Sequence, residues 1–269
     1  MKYQNKKQIF HIFTLVELLV AMSVFSILLV LMLQFFSGAQ KMWTGMEEKN
    51  NLYADARVAM DLMSTLLQST YYSAGGTPFI IENPNTDNSK IYFAAQSKMD
   101  NLPGTKDIRF ISFQRTGTHN EKLVMAIFAD NGTDDSGPTA YSYFFPPYGE
   151  GAVTSYEVAK NLLVTKLDNK VSTTQDDNSA IVLNNVTGLR FIPFARMTTG
   201  GGSEIIAPSG NKYDRKPPYL IEIQLSLMDK KNFDTWSNLP TAQQDAFRQQ
   251  HERTFTRAVF LGGRWAETL

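Results

Sequence analysis

The chain has 269 residues, 43% of them hydrophobic, and 26 Lys and Arg balance 26 Asp and Glu for a formal charge of zero. No basic excess is present, which argues against nucleic acid as a partner. Cysteine is absent, which excludes disulfides, thiolate catalysis and Cys-ligated zinc.

Residues 1–12, MKYQNKKQIFHI, carry Lys2, Lys6 and Lys7 and no acid. An apolar run, FTLVELLVAMSVFSILLVLMLQFF, follows from Phe13 to Phe36. At about 24 residues and about 1.5 Å each it covers roughly 36 Å, against roughly 30 Å of bilayer hydrocarbon. Its one ionisable group is Glu17. A carboxylate inside a membrane span costs about 2.5–3.5 kcal/mol on insertion scales, so it marks a function. Lysines ahead of the span place the N-terminus in the cytoplasm and everything from about residue 38 outside it. A plain signal anchor is one outcome. A cleaved signal peptide, with Ser37-Gly38-Ala39 as the cut site, is another, but the run exceeds the usual apolar length of about 7–15 residues.

The helical pattern continues past the span. Met42, Met46, Tyr53, Ala56, Met60, Met63 and Leu67 recur at spacings of a helix face, opposite Lys41, Glu47, Glu48, Asn50, Asp55 and Asp61. The pattern predicts one helix from Phe13 to about Thr70, stopping before Gly75-Gly76. The stripe is expected to seat a globular head.

Beyond residue 77 the chain reads as strands and turns. Strands are expected at Lys90–Ala95, Asp107–Gln114, Lys122–Ala129, Ala140–Phe145, Asn161–Leu167, Ala180–Leu183, Gly188–Phe194, Pro218–Met228 and Thr254–Leu261. Ile221, Ile223, Leu225 and Leu227 alternate with Glu222, Gln224 and Ser226, the pattern of a half-buried antiparallel strand. Thr241–Glu252, after Pro240, reads as a short helix. Polar loops are expected at 83–89, 130–139, 168–179 and 198–216. One α+β head is the simplest account, and two small β lobes the alternative.

The segment Phe13-Thr14-Leu15-Val16-Glu17, ahead of an apolar run, resembles the prepilin-type N-terminal cleavage and methylation motif of type IV pilins and type II secretion pseudopilins. The resemblance implies cleavage between Ile12 and Phe13 by a prepilin peptidase, N-methylation at Phe13, and a filament assembled from pilin or pseudopilin subunits. It also implies that the Glu17 carboxylate pairs with the N-terminal ammonium of a neighbouring subunit in the inner membrane, so that neither charge is left alone. Ile12 stands where that family usually has Gly, sometimes Ala. An uncleaved, signal-anchored extracytoplasmic binding protein that does not polymerise therefore stays open as the alternative. Arg57–Thr70 on the helix, with Val186–Phe194, Pro217–Asp229 and Glu252–Gly263, is similar to the large minor components, namely J-type pseudopilins and the prepilin-type Verru/Chthon cassette protein C family. The implied fold is pilin-like α+β: a long N-terminal helix, half membrane and half amphipathic, packed on an antiparallel sheet with long loops. The implied segments are a leader at 1–12, a transmembrane helix at 13–36, its amphipathic continuation at 37–72 and a periplasmic or extracellular head at 73–269.

A search for catalytic chemistry finds no constellation. His11, His119 and His251 are isolated and form no metal-ligand spacing. Gly200-Gly201-Gly202 is followed by no G-K-[ST] and reads as a loop. No cofactor and no enzymatic role are expected. Asp130, Asn131, Asp134 and Asp135 are the one weak calcium candidate, by ligand type alone, since Asp-rich segments are also ordinary turns. The aromatics Tyr141, Tyr143, Phe144, Phe145 and Tyr148 read as part core and part loop rim, with a partner-binding face as the alternative.

Overall fold

The computed structural model describes residues 14–72, 77–96, 108–129, 156–172, 179–199, 202–206, 212–214 and 217–261. Its elements in chain order are α1 (Leu15–Gln68), β1 (Ile80–Glu82), β2 (Lys90–Gln96), β3 (Ile108–Thr116), β4 (Lys122–Ala129), α2 (Tyr156–Ser172), β5 (Ser179–Leu183), β6 (Val186–Thr199), β7 (Gly202–Ile206), β8 (Lys212–Asp214), β9 (Leu220–Leu227), α3 (Lys230–Ser237), α4 (Thr241–His251) and β10 (Arg253–Phe260). The architecture is α+β, a long N-terminal helix with antiparallel sheets. The chain divides into two compact units, residues 1–50 and 51–269.

The first unit holds the start of α1. The whole helix has 54 residues, about 81 Å at the standard rise. It is long and apolar enough to cross a membrane, and no side chain in its apolar stretch is buried.

In the second unit, α1 buries Ala56, Ala59, Met60, Met63, Ser64, Leu66 and Leu67. The small Ala56 and Ala59 let the helix backbone come close to the strands. The helix ends by turning its polar groups on itself: Ser69 Oγ donates to Leu66 O at 2.8 Å and Thr70 Oγ1 to Leu67 O at 2.6 Å. The chain then joins β2, with Tyr71 N donating to Ala94 O at 2.8 Å and Gln96 N to Ser69 O at 2.9 Å.

Two sheets flank this helix segment. One has six strands in the order β5-β4-β3-β2-β1-β8, and the other four, β10-β9-β6-β7. One face of each contributes to a common core with the helix. Ile91, Phe93, Ile111, Phe113 and Leu123 come from the six-stranded sheet, and Leu189, Phe191, Ile223, Leu225 and Val259 from the four-stranded one. The second face of the six-stranded sheet is also covered. Ile80, Tyr92, Phe110, Val124 and Ala126 pack under Leu163, Leu167 and Val171 of α2. With both faces covered, β2 and β3 are buried along nearly their whole length.

Two expectations need correction. Asn161–Leu167 is not a strand but lies inside α2, whose buried Lys160, Leu163, Leu167 and Val171 recur at spacings of three and four. The expected loops at 168–179 and 198–216 contain the end of α2, the end of β6, and β7 and β8. In the second unit, Tyr53 of the stripe is half exposed and burial on α1 begins at about Leu52. The expected strand at Ala140–Phe145 lies outside the described residues.

Candidate functional site

Glu17 sits in the first turn of α1, where its position is fixed by Thr14. Glu17 Oε2 accepts from Thr14 N at 3.0 Å and from Thr14 Oγ1 at 3.1 Å, and Thr14 Oγ1 lies 3.3 Å from Glu17 N. This reciprocal pattern is a capping box: residue and side chain at the helix start satisfy backbone N–H groups that have no helical partner. The first helical bond, Leu18 N to Thr14 O at 3.2 Å, begins there. The T-L-V-E spacing carries this role in the sequence, alongside the charge of Glu17. Both donors from Thr14 go to Oε2, and Oε1 has no partner among the described residues. The capping box thus orients the carboxylate while leaving one oxygen open. The Thr14 N–H belongs to the peptide bond after Phe13, so it is present whether or not the bond after Ile12 is cut.

The apolar side chains on either side of Glu17 face outward along the helix. Leu15 and Val16 before it and Leu18, Leu19, Phe25, Phe35 and Phe36 after it are all exposed. Exposure of this extent all round a helix suits lipid or other helices rather than water. Met42 and Trp43, 70% and 75% exposed, extend apolar surface beyond the span.

The remaining sequence candidates are scattered. Ile12, Phe13 and His11 lie outside the described residues, as do Asp130, Asn131, Asp134 and Asp135 and the aromatics at 141–148. His119 is exposed in the β3–β4 turn, and His251 ends α4, its ring tilted by 30° against that of Phe247 with centroids 4.3 Å apart. Among the described residues no group of three or more acids and histidines is placed to hold a metal ion.

Sequence reading missed an ionic cluster in the second unit. Asp87 Oδ1 accepts from Arg190 Nε at 2.5 Å, and its Oδ2 accepts from Arg248 Nη2 at 2.9 Å. Arg248 also donates to Glu252 Oε1 at 2.9 Å, and the Thr187 hydroxyl donates to the same carboxylate. Burial pushes the Asp87 carboxyl up, but the hydrogen bonds and charges of Arg190 and Arg248 outweigh it and hold it below its ordinary 3.8. The charges in this cluster are spent on one another. It fixes the 83–89 turn to β6 and α4.

No family model matches the chain, and no curated protein matches it significantly. The segments quoted from the last third do meet in space: β6, β9 and β10 are neighbours in one sheet, in the order β10-β9-β6. Arg57–Thr70 on α1 reaches the same sheet. Tyr53, just before it, meets Phe255 edge-to-face with centroids 5.5 Å apart, and the Arg257 guanidinium donates to the Asp61 carboxylate.

Proposed function

We propose that the chain is a non-enzymatic minor subunit of a type IV pilus-like or type II secretion-like filament, anchored in the inner membrane with its N-terminus cytoplasmic and its head outside. The observation that carries this reading is an apolar helical stretch with no buried side chain, headed by a carboxylate that Thr14 orients and whose Oε1 has no partner among the described residues. Such a helix has two uses. Before assembly it spans lipid, and in a filament it packs against like helices. Glu17 then pairs its free Oε1 with the ammonium released at Phe13 of a neighbour, which offsets the cost of holding either charge in an apolar setting. Its partners are other pilin-like subunits and a prepilin peptidase, and no cofactor is needed. The large second unit suits a minor component, because a bulky head is hard to stack densely.

The test separates charge from capping. Glu17→Gln keeps the capping box, which accepts Glu or Gln, but removes the charge. Both Glu17→Gln and Glu17→Ala should insert in the membrane and fail to co-assemble. Normal incorporation of Glu17→Gln into filaments would sink the charge-pairing mechanism. The mass of the mature N-terminus decides processing: N-methyl-Phe13 supports the reading, whereas an intact Met1 supports the signal-anchored binding protein that Ile12 favours.

A further inference from the structure

Between Glu17 and Lys41 the helix α1 carries no ionisable group. The two charges stand about 24 residues apart, about 36 Å at the helical rise, against about 30 Å of bilayer hydrocarbon. The hydrocarbon therefore fits between them with about 6 Å to spare, roughly one helical turn. Its far boundary then falls between about residues 37 and 41.

Past this boundary the helix keeps one apolar face. Phe35, Ala39, Met42, Trp43 and Met46 fall on it, and Ser37, Lys41, Thr44 and Glu48 on the opposite side. Met42, Trp43 and Met46 are exposed. Helical side chains lean toward the N-terminus, so these three lean back toward the hydrocarbon. Trp43 stands about 3–9 Å past the boundary, and each headgroup layer is about 5–8 Å deep. The first acids after Glu17 are Glu47 and Glu48, directly beyond Met46.

Two donors at this depth lack an acceptor. Among the described residues the Lys41 ammonium makes no ion pair and the Trp43 indole N–H no hydrogen bond. A parallel second copy, level at Glu17, would set Lys41 beside Lys41 and offer neither donor a carboxylate at its own height. Lipid phosphate and ester oxygens lie at this level and accept from both. An indole, apolar in body with one N–H, is favoured at this boundary, and a lysine stem along the helix lets its ammonium reach the phosphates.

We propose that Trp43, flanked by Met42 and Met46 and with Lys41 on the opposite side, docks α1 into a phospholipid headgroup layer well past Phe36 and so sets the depth of the helix. The proposal rests on the membrane anchoring described above and not on the filament. Trp43 and Glu17 lie about 39 Å apart along the helix, against about 40–45 Å for a bilayer with both headgroup layers. Anchored at Trp43, the helix holds Glu17 at the opposite headgroup layer rather than in mid-membrane. The carboxylate stays hydrated there until another charge reaches it.

The chain has no cysteine, so single nitroxide labels at Leu28→Cys, Met42→Cys and Asn50→Cys report depth in full-length protein reconstituted in phosphatidylcholine vesicles. Collisions with dissolved oxygen mark lipid, and collisions with a water-soluble nickel chelate mark water. The label at Leu28 should meet oxygen and not nickel, and the label at Asn50 should meet nickel freely. The label at Met42 should fall between them, with nickel collisions several-fold fewer than at Asn50 and oxygen still present. Trp43→Ser in the Met42→Cys chain should raise its nickel collisions several-fold, and Trp43→Tyr should leave them unchanged. Nickel access at Met42 equal to that at Asn50 would overturn the proposal. So would protection of Met42 from both reagents, which means a protein cover, or no effect of Trp43→Ser. Nickel access at Leu28 would instead remove the membrane anchoring on which the proposal rests.

Discussion

The Asp61 carboxylate on α1 accepts a hydrogen bond from the Arg257 guanidinium on β10, although 196 residues separate them in the chain. Arg57, one helical turn before Asp61, adds a weaker contact at 3.9 Å. The bond to Arg257 holds the Asp61 carboxyl below its ordinary value. The groups are solvent-exposed, so water and salt screen the pair. Arg257→Ala should therefore leave the melting temperature of the folded head almost unchanged, and the small difference should vanish in high salt. A loss as large as that of a core truncation would show that the pair carries stability the geometry does not assign to it.

Met63 makes the opposite case. It is fully buried on the helix face that both sheets cover. Met63→Ala removes apolar burial and leaves a cavity where the core cannot collapse. Denaturant unfolding should register a loss of about 2–5 kcal/mol, while membrane insertion of α1 is unaffected.

The ionic cluster around Asp87 predicts a pH dependence. Because the folded-state pKa lies below 3.8, the unfolded chain takes up the proton first as the pH falls. The stabilisation is complete above the unfolded value and drains away as the pH drops through the folded one. Asp87→Asn should be less stable than the parent at neutral pH. The two melting curves should begin to converge as the pH falls below about 3.9, the unperturbed Asp value. Curves that stay parallel from pH 7 to 2 would remove Asp87 from the account of acid sensitivity.

Thr14 should matter to the helix start independently of any assembly. Thr14→Val deletes the hydroxyl that faces both the Glu17 amide and its carboxylate. Caps of this kind contribute about 0.5–2 kcal/mol, so amide exchange at Glu17 and Leu18 in micelles should accelerate several-fold, and Thr14→Ser should restore the parent rate. Equal exchange in all three proteins would show that the capping box does not hold in a membrane environment.

The strands with a clear period were readable in advance. Ile221, Ile223, Leu225 and Leu227 alternate in the sequence and all four are fully buried in β9. α2 is ambiguous in the sequence because a short apolar run, NLLVTKL, fits a strand and a helix alike, and only its burial at 160, 163, 167 and 171 decides between them. The stripe on α1 is legible as a face, but periodicity does not say what covers a face, and only the fold shows that Ala56, Met60, Met63 and Leu67 meet both sheets. At the candidate site, Glu17 was found by its charge, yet its bond to Thr14 needed the helix start to be placed. The Asp87 cluster had no local signal. Its arginines lie 103 and 161 residues further along the chain, and only the fold brings them together.

The common core has a consequence for how the head is made. Ala56, Met60, Met63 and Leu67 leave the ribosome about 190 residues ahead of Val259 and Leu261, which pack in the same core. At synthesis rates of roughly 5–20 residues per second, about 190 intervening residues take roughly 10–40 s. Through that interval the stripe is bare apolar surface with its cover still unmade, and no early hairpin can complete the core alone. Until β10 is made, the stripe has only part of its core to enter. Removal of β10 would leave the head unable to close however well the earlier strands had paired.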